Sequence, residues 1–171
     1  MLQVSATAKI AICGQAPGTK VHLSGRPFTD RSGERLRDWT GLSDETFYDS
    51  SLVAIVPMGF CFPGQTKAGA DLPPRPECPR LWHDKLMAEL PQLELMLVVG
   101  RYAINYHLPN HRRRALSSVV ADYQQFLEAN TKPLKLPLPH PSWRNNSWIK
   151  QNGWFEADYL PHIRQAVRRL V

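Results

Sequence analysis

Four stretches of the chain read as strands, and three of them show no polar alternation. "KIAIC" (9–13), "SLVAIVP" (51–57) and "ELMLVV" (94–99) are nearly continuous apolar runs, the pattern of strands covered on both faces. "LKLPL" (134–138) alternates instead. Helical patterns lie between them. "RSGERLRDW" (31–39) starts near Asp30 or Ser32 as N-cap and stops at Gly41. "PRLWHDKLMAEL" (79–90) has Pro79 in its first turn, with Leu81, Trp82, Leu86 and Leu90 on one broad face. "RYAINYHL" (101–108) is short, and "LSSVVADYQQFLEAN" (116–130) and "FEADYLPHIRQAVRRLV" (155–171) are longer. Pro161 is expected to kink the last helix or restart it.

Strands and helices alternating in this order predict a mainly parallel four-stranded sheet inside a three-layer α/β/α sandwich. In such folds ligands bind beyond the carboxyl ends of the strands. Here each strand runs into glycine, proline or polar residues at that end: "GQAPG", "MGFCFPG", Gly100 and "PHPSWRNN". The sequence therefore places four loops around one crevice. The 171 residues suit a single domain, 1–171.

Composition narrows the function classes. No run approaches the roughly 18 to 20 apolar residues of a membrane span, and "MLQVSATAKIAIC" lacks the pattern of a signal peptide. Three widely spaced cysteines do not suggest a disulfide framework, so a reducing cytoplasm is the expected location. A net charge of +6 favours polyanionic partners, although many basic proteins bind no nucleic acid. "HRRR" (111–114) reads either as a phosphate contact or as a solvated loop.

Two loops carry candidate chemistry. "GQAPG" (14–18) permits close backbone approach, and its amides can donate to a ligand; it is also a pattern that simple turns use. In "HPSWRNN" (140–146) prolines on both sides of His140 restrict where the ring points. Ser142 can offer a hydroxyl or free amides to phosphate. Trp143 can stack on a base or wedge between bases. The competing readings are a satisfied imidazole for His140 and a core position for Trp143.

Together these motifs resemble the uracil-DNA glycosylase superfamily. The likeness runs through "GQAPG", "SGRPFTDRSGERL" (24–36), "LVVGRYAINYHL" (97–108) and "HPSWRNN", in order and spacing, over roughly residues 8 to 165. The branch most similar is the bacterial and archaeal one that often carries an iron–sulfur cluster, and "HPSWRN" also looks like the loop of the single-strand-selective branch.

The resemblance implies a monomeric DNA glycosylase that flips a deaminated base into a pocket. His140 would donate to the charge developing on the base, and backbone amides of Gln15 and Ala16 would hold the attacking water. Phe28 would stack on the base, unless it only anchors the following helix in the core. Gly14, Pro57, Met58 and Gly59 would line the base site. Gly18 and Ser142 would grip phosphates. Trp143 and Arg144 would enter the minor groove or fill the gap the base leaves. Asn145 and Asn146 would contact phosphate or only shape the turn.

Three features depart from the family pattern. Gln15 and Ala16 supply no carboxylate to orient water; Asp30 could substitute, or serve only as an N-cap. Pro57 or Met58 falls where uracil-specific relatives place an asparagine. Losing that amide should relax discrimination by roughly 1 to 3 kcal/mol, which opens the pocket to bases such as hypoxanthine. Finally, only Cys61 and Cys78 match the four cysteines of the cluster-bearing branch, and Cys13 ends the first strand beside the pocket. No cluster, and no other cofactor, is expected; His83 is an outlying candidate ligand. The readings carried forward are a monofunctional glycosylase, a noncatalytic nucleic-acid binder of the same fold, and a binder or hydrolase of small nucleotides.

Overall fold

The four strand segments pair into one all-parallel sheet in the computed structural model, which describes residues 1–171. The strands are β1 (Ile10–Cys13), β2 (Val53–Ile55), β3 (Leu95–Val99) and β4 (Leu134–Leu138), in the order β2–β1–β3–β4. Ile12 pairs with Ile55 on one side and Leu97 on the other, and Val99 pairs with Leu138. Every residue of β1, β2 and β3 is buried, so both sheet faces are covered. That is why these strands show no alternation. β4 is an edge strand and so tolerates Pro137, whose carbonyl accepts from the Tyr159 hydroxyl at 3.0 Å.

Nine α-helices complete the layers: α1 (Thr19–Ser24), α2 (Arg31–Thr40), α3 (Asp44–Phe47), α4 (Asp84–Ala88), α5 (Gly100–His107), α6 (Leu116–Ala121), α7 (Tyr123–Glu128), α8 (Asn146–Gln151) and α9 (Leu160–Arg168). α2 starts where the Asp30 carboxylate accepts from the Gly33 amide, and it stops at Gly41 in the left-handed region. α2 packs against α9, and its Trp39 lies edge-on to Phe155, just before α9, at 5.0 Å.

Three expected helices differ in detail. A π-helical turn, Pro79–His83, precedes α4. The 116–130 segment breaks at Asp122, whose carboxylate pairs with Arg114 at 2.5 Å. In the last segment a π-helical turn, Phe155–Tyr159, leads into α9, with Pro161 in its first turn, so the proline restarts the helix. α1 was not expected, because it buries only Val21 and shows no apolar stripe.

Two histidines are buried in this fold. His83 is fully buried; its Nε2–H donates to the Pro57 carbonyl at 2.9 Å, and its ring stacks on Phe60. The candidate metal ligand is thus a core residue that braces the loop after β2. His107 lies against it with ring centroids 5.7 Å apart. Burial, with the neighbouring His83 and Lys135, pushes His107 down from 6.5 to about 3.

An unfolded chain takes up protons on these histidines below about 6.5. Folded His107 stays neutral until about 3. Between those values the unfolded state binds more protons, so stability should rise with pH across that window. Urea midpoints measured from pH 4 to 8 are expected to climb until about pH 6.5 and then flatten. In His107→Gln the climb should be shallower.

Candidate active site

A cavity of about 470 Å³ opens at the carboxyl end of the sheet, lined by residues at or after the ends of β1, β2 and β4. β1 and β3 are neighbours whose chains leave in different directions, toward β2 and toward β4. A crevice opens at such a point.

One wall is the loop after β1. Met58 N–H donates to the Gly14 carbonyl at 2.9 Å, and Gly59 N–H donates to the Gln15 carbonyl at 2.8 Å. These bonds turn the loop's carbonyls toward the β2 loop. The amides of Gln15 and Ala16 have no acceptor within the protein, and both residues line the cavity. Unpaired amides of this kind are ready donors for a ligand. Met58 and Gly59 therefore stand behind the wall instead of lining the cavity: Met58 is 2% exposed, and a Cβ at Gly59 would lie 3.2 Å from the Ala16 side chain. Pro57 and Ile55 do line the cavity, as an apolar patch.

Phe28 forms a second wall with an uncommon backbone. Its φ is 56°, rare for a bulky residue and informative at a cavity. Its carbonyl accepts from Arg37 Nη1 at 3.0 Å and from the Tyr48 hydroxyl at 3.1 Å. Arg37 is itself fixed by the Asp44 carboxylate at 2.6 Å, and Arg26 lies over the Tyr48 ring. Two glycines make room: a Cβ at Gly14 would lie 3.1 Å from the Phe28 ring, and one at Gly33 would lie 1.7 Å from its carbonyl oxygen. Phe28 is more than a core anchor, since its ring meets Phe47 edge-on at 6.1 Å and the residue also lines the cavity.

His140 closes the cavity from the loop after β4. Gly100 follows β3 at φ 80°, and a Cβ there would lie 3.5 Å from that of His140, so glycine lets the histidine settle on the strand end. Asn145 Nδ2 donates to the His140 carbonyl at 2.6 Å and locks the turn. The imidazole makes no hydrogen bond within the protein and lines the cavity. Burial lowers its pKa from the ordinary value, opposed by the Asp30 and Asp71 carboxylates. At neutral pH the ring is therefore uncharged, with one N–H to donate.

The rim follows. Ser142, Trp143, Arg144 and Asn145 line the cavity, as does Gly18 opposite. Trp143 is 73% exposed, which excludes the core reading. Arg35 ties this loop to α2 by donating to the Ser142 carbonyl at 3.2 Å and to Asn146 Oδ1 at 2.7 Å. Asn145 and Asn146 thus shape the turn. Residues 111–114 lie away from the cavity; Arg101 donates to the Arg114 carbonyl at 2.7 Å.

Sequence reasoning missed Asp71, Met1, Ser32, Pro27, Val21 and Ile55 as lining residues. For Asp71 a signal existed: it sits in the long connection between β2 and the π-helical turn, and long loops in compact domains are often functional.

The cysteines do not fit an iron–sulfur cluster. A cluster needs about four thiolates. Cys13 is fully buried and lies outside the cavity lining, with burial pushing its thiol up to about 12. That leaves exposed Cys61 and half-buried Cys78, and no three His, Cys, Asp or Glu side chains gather into a metal-holding group. A family model described as the uracil DNA glycosylase superfamily matches residues 2–164.

Proposed function

The chain belongs to the uracil DNA glycosylase superfamily, and we propose that it is a monofunctional DNA glycosylase that hydrolyses the N-glycosidic bond of a flipped, deaminated base. The observation that carries this reading is the meeting of three elements on one cavity: the unpaired His140 imidazole, the free amides of Gln15 and Ala16, and the Phe28 ring. A base extruded from the helix stacks on Phe28, with Gly14 and Pro57 beside it. As the C1′–N bond breaks, its electron pair moves onto the base. His140 donates its N–H to the oxygen where that charge develops. The Gln15 and Ala16 amides hold the water that adds to C1′. A fixed donor stabilises developing charge better than water does, because it needs no reorganisation. No lysine lines the cavity, and the one amine there, the Met1 N-terminus, is engaged by the Phe60 carbonyl, which supports a reading without a Schiff-base lyase step.

Pro57 offers no side-chain hydrogen bond where an amide would read a pyrimidine, so uracil and a related base such as hypoxanthine are both substrates of this reading. Gly18, Ser142 and Arg144 contact phosphates, and Trp143 enters the minor groove or the vacated stack. Asn145 acts through the turn it locks. We place the protein near the bacterial and archaeal cluster-bearing branch, without the cluster, as a monomer acting on DNA in the cytoplasm. No helix is long and apolar enough to cross a membrane.

The test is abasic-site formation on single-stranded and duplex oligonucleotides carrying uracil, hypoxanthine, xanthine or mismatched thymine. Release of at least one base is expected. Binding without release from any of them would instead support a noncatalytic binder, the reading that the carboxylate-free β1 loop favours. Affinity that ignores DNA length and salt would point to small nucleotides.

The salt slope tests the rim separately. In Arg144→Ala the slope of log K against log salt is expected to fall by about 1, with similar weakening for all sequences, as for one lost phosphate contact. An unchanged slope would remove Arg144 from the interface.

A further inference from the structure

Hydrolysis leaves a proton to be placed. Water adds its oxygen to C1′, the bond pair leaves with the base, and one proton of that water must go to an acceptor. The Gln15 amide cannot take it, and His140 is already assigned as the donor. Two carboxylates line the cavity, Asp30 and Asp71, and neither makes an ion pair. Asp30 uses Oδ1 to accept from the Gly33 amide at 3.1 Å, and this contact starts α2.

Asp71 is held differently. It comes from the connection after β2, outside both motif loops. An antiparallel bridge pairs Gln65 with Asp71, Leu72 N–H donates to the Gly64 carbonyl at 2.9 Å, and Thr66 N–H donates to the Ala70 carbonyl at 2.8 Å. The segment is pinned further where Pro74 packs 3.0 Å from the Cβ position of Gly59. Gln65 Nε2 donates to Asp71 Oδ1 at 3.0 Å, which leaves Oδ2 free. Oδ2 lies 3.4 Å from the Cβ position of Gly18, at the end of the cavity-lining loop that carries the unpaired amides of Gln15 and Ala16. The residue is exposed on its outer side, so a proton taken up there can leave to bulk water.

We propose that Asp71 is a catalytic carboxylate of this site, accepting the proton of the water that attacks C1′, with Gln65 as the positioning residue that aims it. The inference rests on the glycosylase reading above. It supplies the base that the β1 loop lacks, from a segment that neither motif contains.

Single-turnover base release tests it, using the full chain and the oligonucleotide that the wild type cleaves fastest. Asp71→Asn, nearly isosteric and exposed, should keep the wild-type unfolding midpoint and DNA affinity. Its rate should fall on the order of 10²-fold, the lower range for general base catalysis. Asp71→Glu should recover part of the rate, and Gln65→Ala should lose less than Asp71→Asn. The pH profile separates catalysis from packing. Asp30, His140, Arg144 and the N-terminal ammonium of Met1 are the other charged or titratable groups on the cavity, and all remain in the variant. Wild-type rates should fall on the acid side, whereas Asp71→Asn should lose that limb. A wild-type rate in Asp71→Asn, or a slower rate with the acid limb intact, would overturn the proposal. So would an acid limb that disappears in Asp30→Asn instead. If the wild type releases no base at all, the glycosylase reading itself fails and takes this inference with it.

Discussion

Replacing His140 with alanine is expected to slow base release by on the order of 10² to 10³-fold, with little change in DNA affinity. The loop should survive the change, because its supports do not use the imidazole. Pro139 and Pro141 restrict the backbone, and Asn145 bonds the residue 140 carbonyl, which alanine retains. The cavity then loses one donor and little else. A donor made useful only as charge develops contributes to the rate and not to ground-state binding. Single-turnover release and fluorescence anisotropy on one oligonucleotide separate the two quantities. Equal losses in rate and affinity would mean that His140 holds DNA and does not assist cleavage. The wild-type rate in the variant would remove it from the mechanism.

Gly33→Ala is expected to have the largest structural effect of any single methyl added to this chain. The new Cβ would lie 1.7 Å from the Phe28 carbonyl oxygen and 2.7 Å from its Cβ. Neither is the end of a flexible side chain. α2 cannot simply shift, because Asp30 caps it and Trp39 packs it into the core. Phe28 must move, which disturbs its bonds with Arg37 and Tyr48. Overpacking of this kind costs about 1–3 kcal/mol, and each lost hydrogen bond adds about 1 kcal/mol. A loss of about 3 kcal/mol or more would lower the thermal midpoint by roughly 10 °C in a chain of this size. Base release should fall as well, because the ring leaves its place over Gly14. Glu34→Ala, on the exposed face of the same helix, should stay within about 0.5 kcal/mol of wild type. A Gly33→Ala protein that matches that control would refute the packing argument.

What could be read in advance follows from where local chemistry decides structure. β1, β2 and β3 were legible because burial on both faces leaves continuous apolar runs. α2 was legible because Asp30 and Gly41 punctuate it. The lining positions of His140, Gln15, Ala16 and Gly18 were legible because strand ends must converge in a parallel sheet, whereas that of Phe28, between α1 and α2, was implied only by the family resemblance. α1 escaped because a short helix at the cavity rim buries only Val21. The break at Asp122 escaped because an apolar stripe continues across it, while the Arg114 partner that holds it is set by the fold. Asp71 escaped for a similar reason. Its segment has no periodicity, and its position depends on Gln65, Gly18 and Pro74, contacts visible only once the chain is folded. Met58 and Gly59 were placed one layer too far forward. Their amides serve the β1 loop from behind, a register that sequence spacing alone does not distinguish from facing the ligand.

The central claim is that one extruded base lies between Phe28 and His140. The most direct test is a crystal structure of the protein with an oligonucleotide whose target nucleotide carries a 2′-fluoro sugar, which resists cleavage by disfavouring the cationic sugar. The base should be the one that the wild type releases fastest. The account expects that base out of the stack, lying on the Phe28 ring, with its oxygen about 3 Å from a His140 ring nitrogen. A base that stays stacked in the DNA, or rests elsewhere while packed side chains fill the cavity, would contradict it.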